Sequence, residues 1–74
     1  DMLDQAFAAA VTDESPQIRA ACARLVGRKG LLKYEDQIAL LLGDDPDPEV
    51  RRSARTSLYL LTLQKKRGPS SREK

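Results

Sequence analysis

The 74-residue chain has no histidine and no tryptophan, and only one cysteine, one methionine, one phenylalanine and two tyrosines. Without histidine it lacks the usual general base and the commonest metal ligand. Its one thiol, Cys22, cannot close an internal disulfide. The thiol falls on an apolar helical stripe with no base beside it, which fits a small core residue better than a nucleophile. No apolar run approaches the ~20 residues needed to cross a bilayer, and no signal-peptide pattern is evident. We therefore expect a non-catalytic protein without cofactor or metal. An unpaired cysteine fits a reducing compartment, so we expect it to be soluble and intracellular, cytoplasmic or nuclear.

What is present is helical in character. Apolar residues make up 41% and charged residues 32%, and with aromatics at 4% the core must be built from alanine and leucine. Met2 to Val11 reads as a first helix, with Leu3, Ala6, Phe7, Ala10 and Val11 at helical spacing. Ser15 caps a second helix opened by Pro16. Its predicted inner face is Ile18, Ala21, Cys22, Leu25 and Val26, with Gly27 and Gly30 stopping it. Tyr34 to Leu42 forms a short third helix ended by Gly43, and Leu31, Leu32 and Leu40 add apolar area that it cannot hide alone. Asp47 caps a fourth helix that Pro48 opens. Its stripe of Val50, Ala54, Ser57, Leu58 and Leu61 is predicted buried, and the helix is predicted to end near Gln64.

The same arrangement is written twice. Ser15-Pro16-Gln17-Ile18-Arg19 matches Asp47-Pro48-Glu49-Val50-Arg51 at an offset of 32 residues, which also pairs Cys22 with Ala54, Val26 with Leu58 and Asp13 with Asp45. The segment Asp45-Pro46-Asp47-Pro48-Glu49-Val50-Arg51-Arg52-Ser53-Ala54-Arg55-Thr56-Ser57-Leu58 resembles the second helix of a HEAT repeat, whose pattern is Asp-x-x-Pro-x-Val-Arg-x-x-Ala-x-x-x-Leu. In the first copy Ile18, Cys22 and Val26 keep the size class. The resemblance spans roughly residues 2 to 63 and implies an all-α fold. That fold is a fragment of an α-α superhelix, two stacked antiparallel hairpins from a longer array, with repeats at about 2–30 and 31–64. It also implies that the flank arginines Arg19 and Arg51 and the turn aspartates Asp13 and Asp45 fix the stacking. By the family's habit Arg51 would reach Asp13, and Asp45 would wait for an arginine from a following repeat.

Charge divides the chain. Residues 1–64 carry a net −2 and residues 65–74 a net +4. The latter, with Lys65, Lys66 and Arg67 followed by Gly, Pro and Ser, are expected to form a flexible basic tail. On the fourth helix Arg52, Arg55, Thr56 and Tyr59 point away from the apolar stripe, with Leu63 one turn beyond. Arginine and tyrosine are enriched in binding hot spots, and in the resembled family such helices line a concave groove. The equivalent second-helix positions Ala20, Ala23, Arg24 and Gly27 would make a low-relief neighbour for a partner helix or peptide.

The leading expectation is a protein–protein interaction scaffold whose partners are other proteins or further repeats. Homo-oligomers through exposed apolar ends are a further expectation, because repeats bury their faces against neighbours. The alternative is a nucleic-acid-binding module using Arg52, Arg55 and the tail. Against it stand the acidic body and the internal duplication, which a helix-turn-helix reader leaves unexplained.

Overall fold

The computed structural model describes residues 1–72, with side chains through Arg67, and contains α1 (Met2–Val11), α2 (Pro16–Lys29), α3 (Glu35–Asp44) and α4 (Pro48–Arg72). A single 3-10 turn, Leu32–Tyr34, leads into α3, and there is no strand among the described residues. No described helix is long and apolar enough to cross a membrane.

Local chemistry sets each start. The Asp1 carboxylate accepts from the Asp4 N–H, Ser15 Oγ from Ile18, and Asp47 Oδ1 from Glu49 and Val50 at 2.8 and 3.2 Å. These side chains satisfy amides that have no partner in the first helical turn. Both prolines at the N1 position, Pro16 and Pro48, remove an N–H that has no partner within the helix.

The ends differ from expectation in three places. Helix α2 passes through Gly27 and stops at Gly30, which takes the left-handed conformation at φ 66° and donates to the Val26 and Gly27 carbonyls. Helix α3 runs through Gly43 to Asp44, and the extended backbone of Asp45 ends it. Helix α4 does not fray near Gln64 but continues through Lys65, Lys66 and Arg67 to Arg72. Long unbranched side chains keep their rotamer freedom in a helix, and Lys65 is tied back to Glu35 of α3 at 2.9 Å. The expected tail therefore begins as helix, and Glu73 and Lys74 lie outside the described residues.

Two helical hairpins, α1–α2 and α3–α4, meet chiefly along α2 and α4. The core comprises Phe7, Ala20, Ala23, Val26, Tyr34, Ile38, Leu41, Val50, Ala54 and Leu61. Ile38 and Leu61, both fully buried, each contribute roughly 1.5–3 kcal/mol from apolar burial.

Helix α2 buries a different face from the one its large residues predict. Ala20, Ala23, Val26 and Gly27 are inside, Ala21 is exposed, and Ile18 and Leu25 keep 45% and 41% of their surface exposed. The reason is distance. A Cβ on Gly27 would lie 2.7 Å from the Ser57 Cα, so the backbones of α2 and α4 are close enough to require small residues between them. Contact here selects against bulk, and the bulkier stripe of Ile18, Cys22 and Leu25 turns away from α4.

Candidate interaction site

Three surfaces carry the residues of functional interest: the seam between hairpins, the outer face of α4 and the outer face of α1–α2. At the seam, Arg19 reaches from the first hairpin to the second. Its Nε and Nη2 donate to Asp45 Oδ2 and Oδ1 at 2.7 and 3.0 Å, a bidentate fork, and the Asp45 side chain is nearly buried. Nη1 of the same guanidinium donates to the Asp13 and Glu14 carbonyls at 2.8 and 3.2 Å. Asp45 Oδ1 also accepts from the Asp47 amide at 3.0 Å.

This geometry corrects the direction of the ladder. Arg51 does not reach Asp13, and Asp45 is already occupied. The turn carbonyls explain why. Arg51 Nη1 is held by Asp45 O and Pro46 O at 2.8 and 3.1 Å, just as Arg19 Nη1 is held by its own turn, so Arg51 stays at its turn while Arg19 extends onto the second hairpin. The Arg19 guanidinium holds the Asp45 carboxyl below its usual range, helped by the Asp47 amide, and Asp45 in turn raises the arginine. The aspartates of the turn thus serve as cap and fork acceptor. No group of three or more metal-capable side chains gathers among the described residues.

The outer face of α4 carries Arg52, Arg55, Thr56 and Tyr59, all exposed, with Tyr59 at 62%. Leu63 beside them is half-buried. Arg52 is paired with Glu49 one turn back. Because α4 continues past Gln64, Lys66 falls in the same angular row as Arg52, Arg55 and Tyr59, which spans about 21 Å at the α-helical rise.

Three of the expected neighbours, Ala20, Ala23 and Gly27, are absent from any surface. Ala20 and Ala23, at 1% and 0% exposure, are buried on the face of α2 that meets α4, and so cannot floor a groove beside the α4 row. Arg24 remains exposed, but its Nη1 donates to Ser53 Oγ across the seam at 3.2 Å. The two sets are related by the 32-residue offset, which places Arg52, Arg55 and Tyr59 where α2 has Ala20, Ala23 and Gly27. The α4 row lies on the exposed side of α4.

The α1–α2 outer face is apolar. An open cavity of about 170 Å³ lies between the two helices, lined by residues including Leu3, Ala6, Ala10, Cys22 and Leu25. Burial pushes the Cys22 thiol pKa up, which favours its protonated form.

One cluster has no forerunner in the sequence reading. Tyr34 is buried and stacks on Phe7 with ring centroids 3.9 Å apart and planes 8° from parallel. Its hydroxyl donates to Asp4 Oδ1 at 2.5 Å, and Lys33 Nζ lies 3.0 Å from the same carboxylate. Hydrogen bonds from Tyr34 and then Lys33 lower the Asp4 pKa, while burial followed by the neighbouring carboxylate raises that of the Tyr34 phenol. The cluster fastens α1 to the segment before α3. The available signal was that Phe7 and Tyr34 are the only aromatic residues before Tyr59.

No family model, curated protein or solved structure matches the chain.

Proposed function

We propose that the chain is a pair of HEAT-like repeats acting as a non-catalytic interaction scaffold, with the outer row of α4 as its partner-binding face. The observation that carries this reading is the repetition of one bonding scheme. Turn aspartate to cap amide, and flank arginine to two turn carbonyls, recur 32 residues apart. Hairpins joined by such a fork form extended surfaces, and a polar outer face ends an array. Arg52, Arg55 and Tyr59 supply the residue types that dominate binding energy at protein interfaces, displayed on a helix whose opposite side is fixed in the core.

The test is capture of partners by the wild-type chain beside an Arg52→Glu, Tyr59→Ala double variant. The reading expects proteins retained by the first and lost by the second, with both chains equally folded. Identical recoveries would show that this row is not the binding face.

A second reading, nucleic-acid binding, is favoured by one observation: Lys66 extends the row, and Lys65 and Arg67 flank it on the same helix. Phosphate binding would weaken steeply with salt, with log K falling in proportion to the number of contacts. Titration of a mixed-sequence duplex at two salt concentrations separates the readings, because the scaffold reading expects no binding at physiological salt.

A further inference from the structure

We infer that the corner where α4 runs past the end of α2 binds a short acidic segment of a protein partner. The segment sets its carboxylates on Arg28, Lys29 and Arg67 and an apolar side chain on Leu60 and Leu63. This site rests on the scaffold reading and gives the partner a chemistry, but it shares no residue with the row of Arg52, Arg55 and Tyr59.

Charge is sorted by helix. Helix α2 and the described side chains of α4 carry ten basic residues and one acidic residue, Glu49, whereas α1 and α3 carry four acidic residues and no basic one. The net −2 of residues 1–64 conceals this division. Several of those cations are already held. Arg19 and Arg51 bond their turn carbonyls, Arg24 donates to Ser53, Arg52 pairs with Glu49 and Lys65 with Glu35. Arg28, Lys29 and Arg67 are exposed, and among the described residues none of the three forms an ion pair.

The fold brings these three together. Gly30 ends α2 beside Gln64, where a Cβ on the glycine would lie 3.2 Å from Gln64 Cδ, and α4 continues beyond that level. The corner forms an open cavity of about 330 Å³, lined by Arg28, Lys29, Arg67 and Gln64 and by the half-buried Leu60 and Leu63. The last-turn carbonyls of α2 account for Arg28 and Lys29, since cations complement the negative end of a helix. They do not account for Arg67, which comes from α4. Three like charges on one cavity repel one another, and an anion among them relieves that repulsion. Guanidinium groups take carboxylates through paired hydrogen bonds, and the leucines offer apolar contact to the rest of the segment.

Shape and charge disfavour a nucleic acid here. The opposite end of the seam exposes Glu14, Asp44 and Glu49, about 21 Å away along α2 at the α-helical rise. A rigid duplex lying along the seam would set phosphates against those carboxylates and leave Leu60 and Leu63 without apolar contact. A five-residue peptide spans at most about 17 Å and keeps to the basic end.

The probe is a peptide of one leucine between two pairs of glutamates, titrated into the full chain at low ionic strength, where surface charges are least screened. In nuclear magnetic resonance spectra it should shift the amides of Gly30, Leu63 and Gln64 more than those of Arg52, Arg55 and Tyr59. Arg28→Glu and Arg67→Glu should each weaken binding about tenfold with unchanged circular dichroism, and replacing the peptide's leucine by serine should cost about as much. Arg55→Glu, the same change of charge elsewhere on α4, should cost less than about threefold. Five results would overturn the inference: no binding, equal weakening by Arg55→Glu, equal binding of the serine peptide, a mixed-sequence duplex that shifts the same amides and binds more tightly, or a sedimenting dimer abolished by Arg67→Glu, which would seat a second copy in the corner. Partner capture that depends on Arg52 and Tyr59 reads the other face, so either result can fail while the other stands.

Discussion

Helices α2 and α4 each open with a side-chain cap, a proline and a flank arginine at matching positions, yet the faces they turn away from each other differ in kind. That of α2 is Ile18, Cys22 and Leu25; that of α4 is Arg52, Arg55 and Tyr59. The shared motif fixes how each hairpin turns and where its arginine is anchored. A separate set of positions decides what each helix can lie against. Ala20, Ala23 and Gly27 admit a helix at close range, whereas the same positions in α4 present length and charge. The shared motif thus goes with the hairpin's turn, and three residues outside it go with how closely a neighbouring helix can lie.

The largest expected effects separate inner from outer leucines. Leu61→Ala should cost about 2–5 kcal/mol in urea denaturation, because a fully buried side chain leaves a cavity. Leu25→Ala should stay within about 1 kcal/mol, and similar losses for both would erase the distinction drawn here. Gly27→Ala comes next. Despite a gain of about 1 kcal/mol in helix propensity, it should destabilise by about 1–3 kcal/mol net, since its Cβ must displace the α4 backbone. Tyr59→Ala at the equivalent position should change stability by less than about 0.5 kcal/mol. A neutral Gly27→Ala would mean that the two helices are not in close contact.

Ser57 sharpens the same point. Its Oγ is buried at the seam without a hydrogen-bond partner among the described residues, so Ser57→Ala should stabilise by about 1 kcal/mol in thermal melts. Loss of stability would show that the hydroxyl is bonded.

A further effect is in acid. The folded-state pKa of Asp45 lies below its unfolded value near 3.8, so its contribution is fully present above that pH and is lost as pH falls through the lowered value. Asp45→Asn should lower stability at neutral pH and flatten the decline below about pH 4. An unchanged acid limb would assign that decline to other carboxylates, Asp4 foremost, which is shifted the same way by Tyr34 and Lys33.

Much of the hairpin was legible because caps and prolines act locally: Ser15, Pro16, Asp47 and Pro48 perform the jobs their types predict. The exposed α4 row was legible for a similar reason, since a 3.6-residue period places Arg52, Arg55 and Tyr59 opposite Val50, Ala54 and Leu61. The buried face of α2 was not. Apolar residues nearly surround that helix, and hydropathy ranks Ile18 and Leu25 above Ala20 and Gly27, whereas close approach reverses the order. The direction of the Arg19–Asp45 fork was also hidden. Spacing names the two arginines and two aspartates, but not which of them pair: Arg19 forks onto Asp45, while Arg51 bonds only its own turn carbonyls. The Tyr34–Asp4 bond joins residues with no shared period, so nothing local announces it.

The account depends above all on Arg19 and Asp45 joining the two hairpins across the α2–α4 seam. A double-mutant cycle in urea, comparing Arg19→Met, Asp45→Asn and both together with the parent chain, measures that join directly. The account predicts losses that fail to add, with the double variant little worse than the worse single one. Losses that add within error would mean the two side chains act independently, and the hairpins would have to be held by something else.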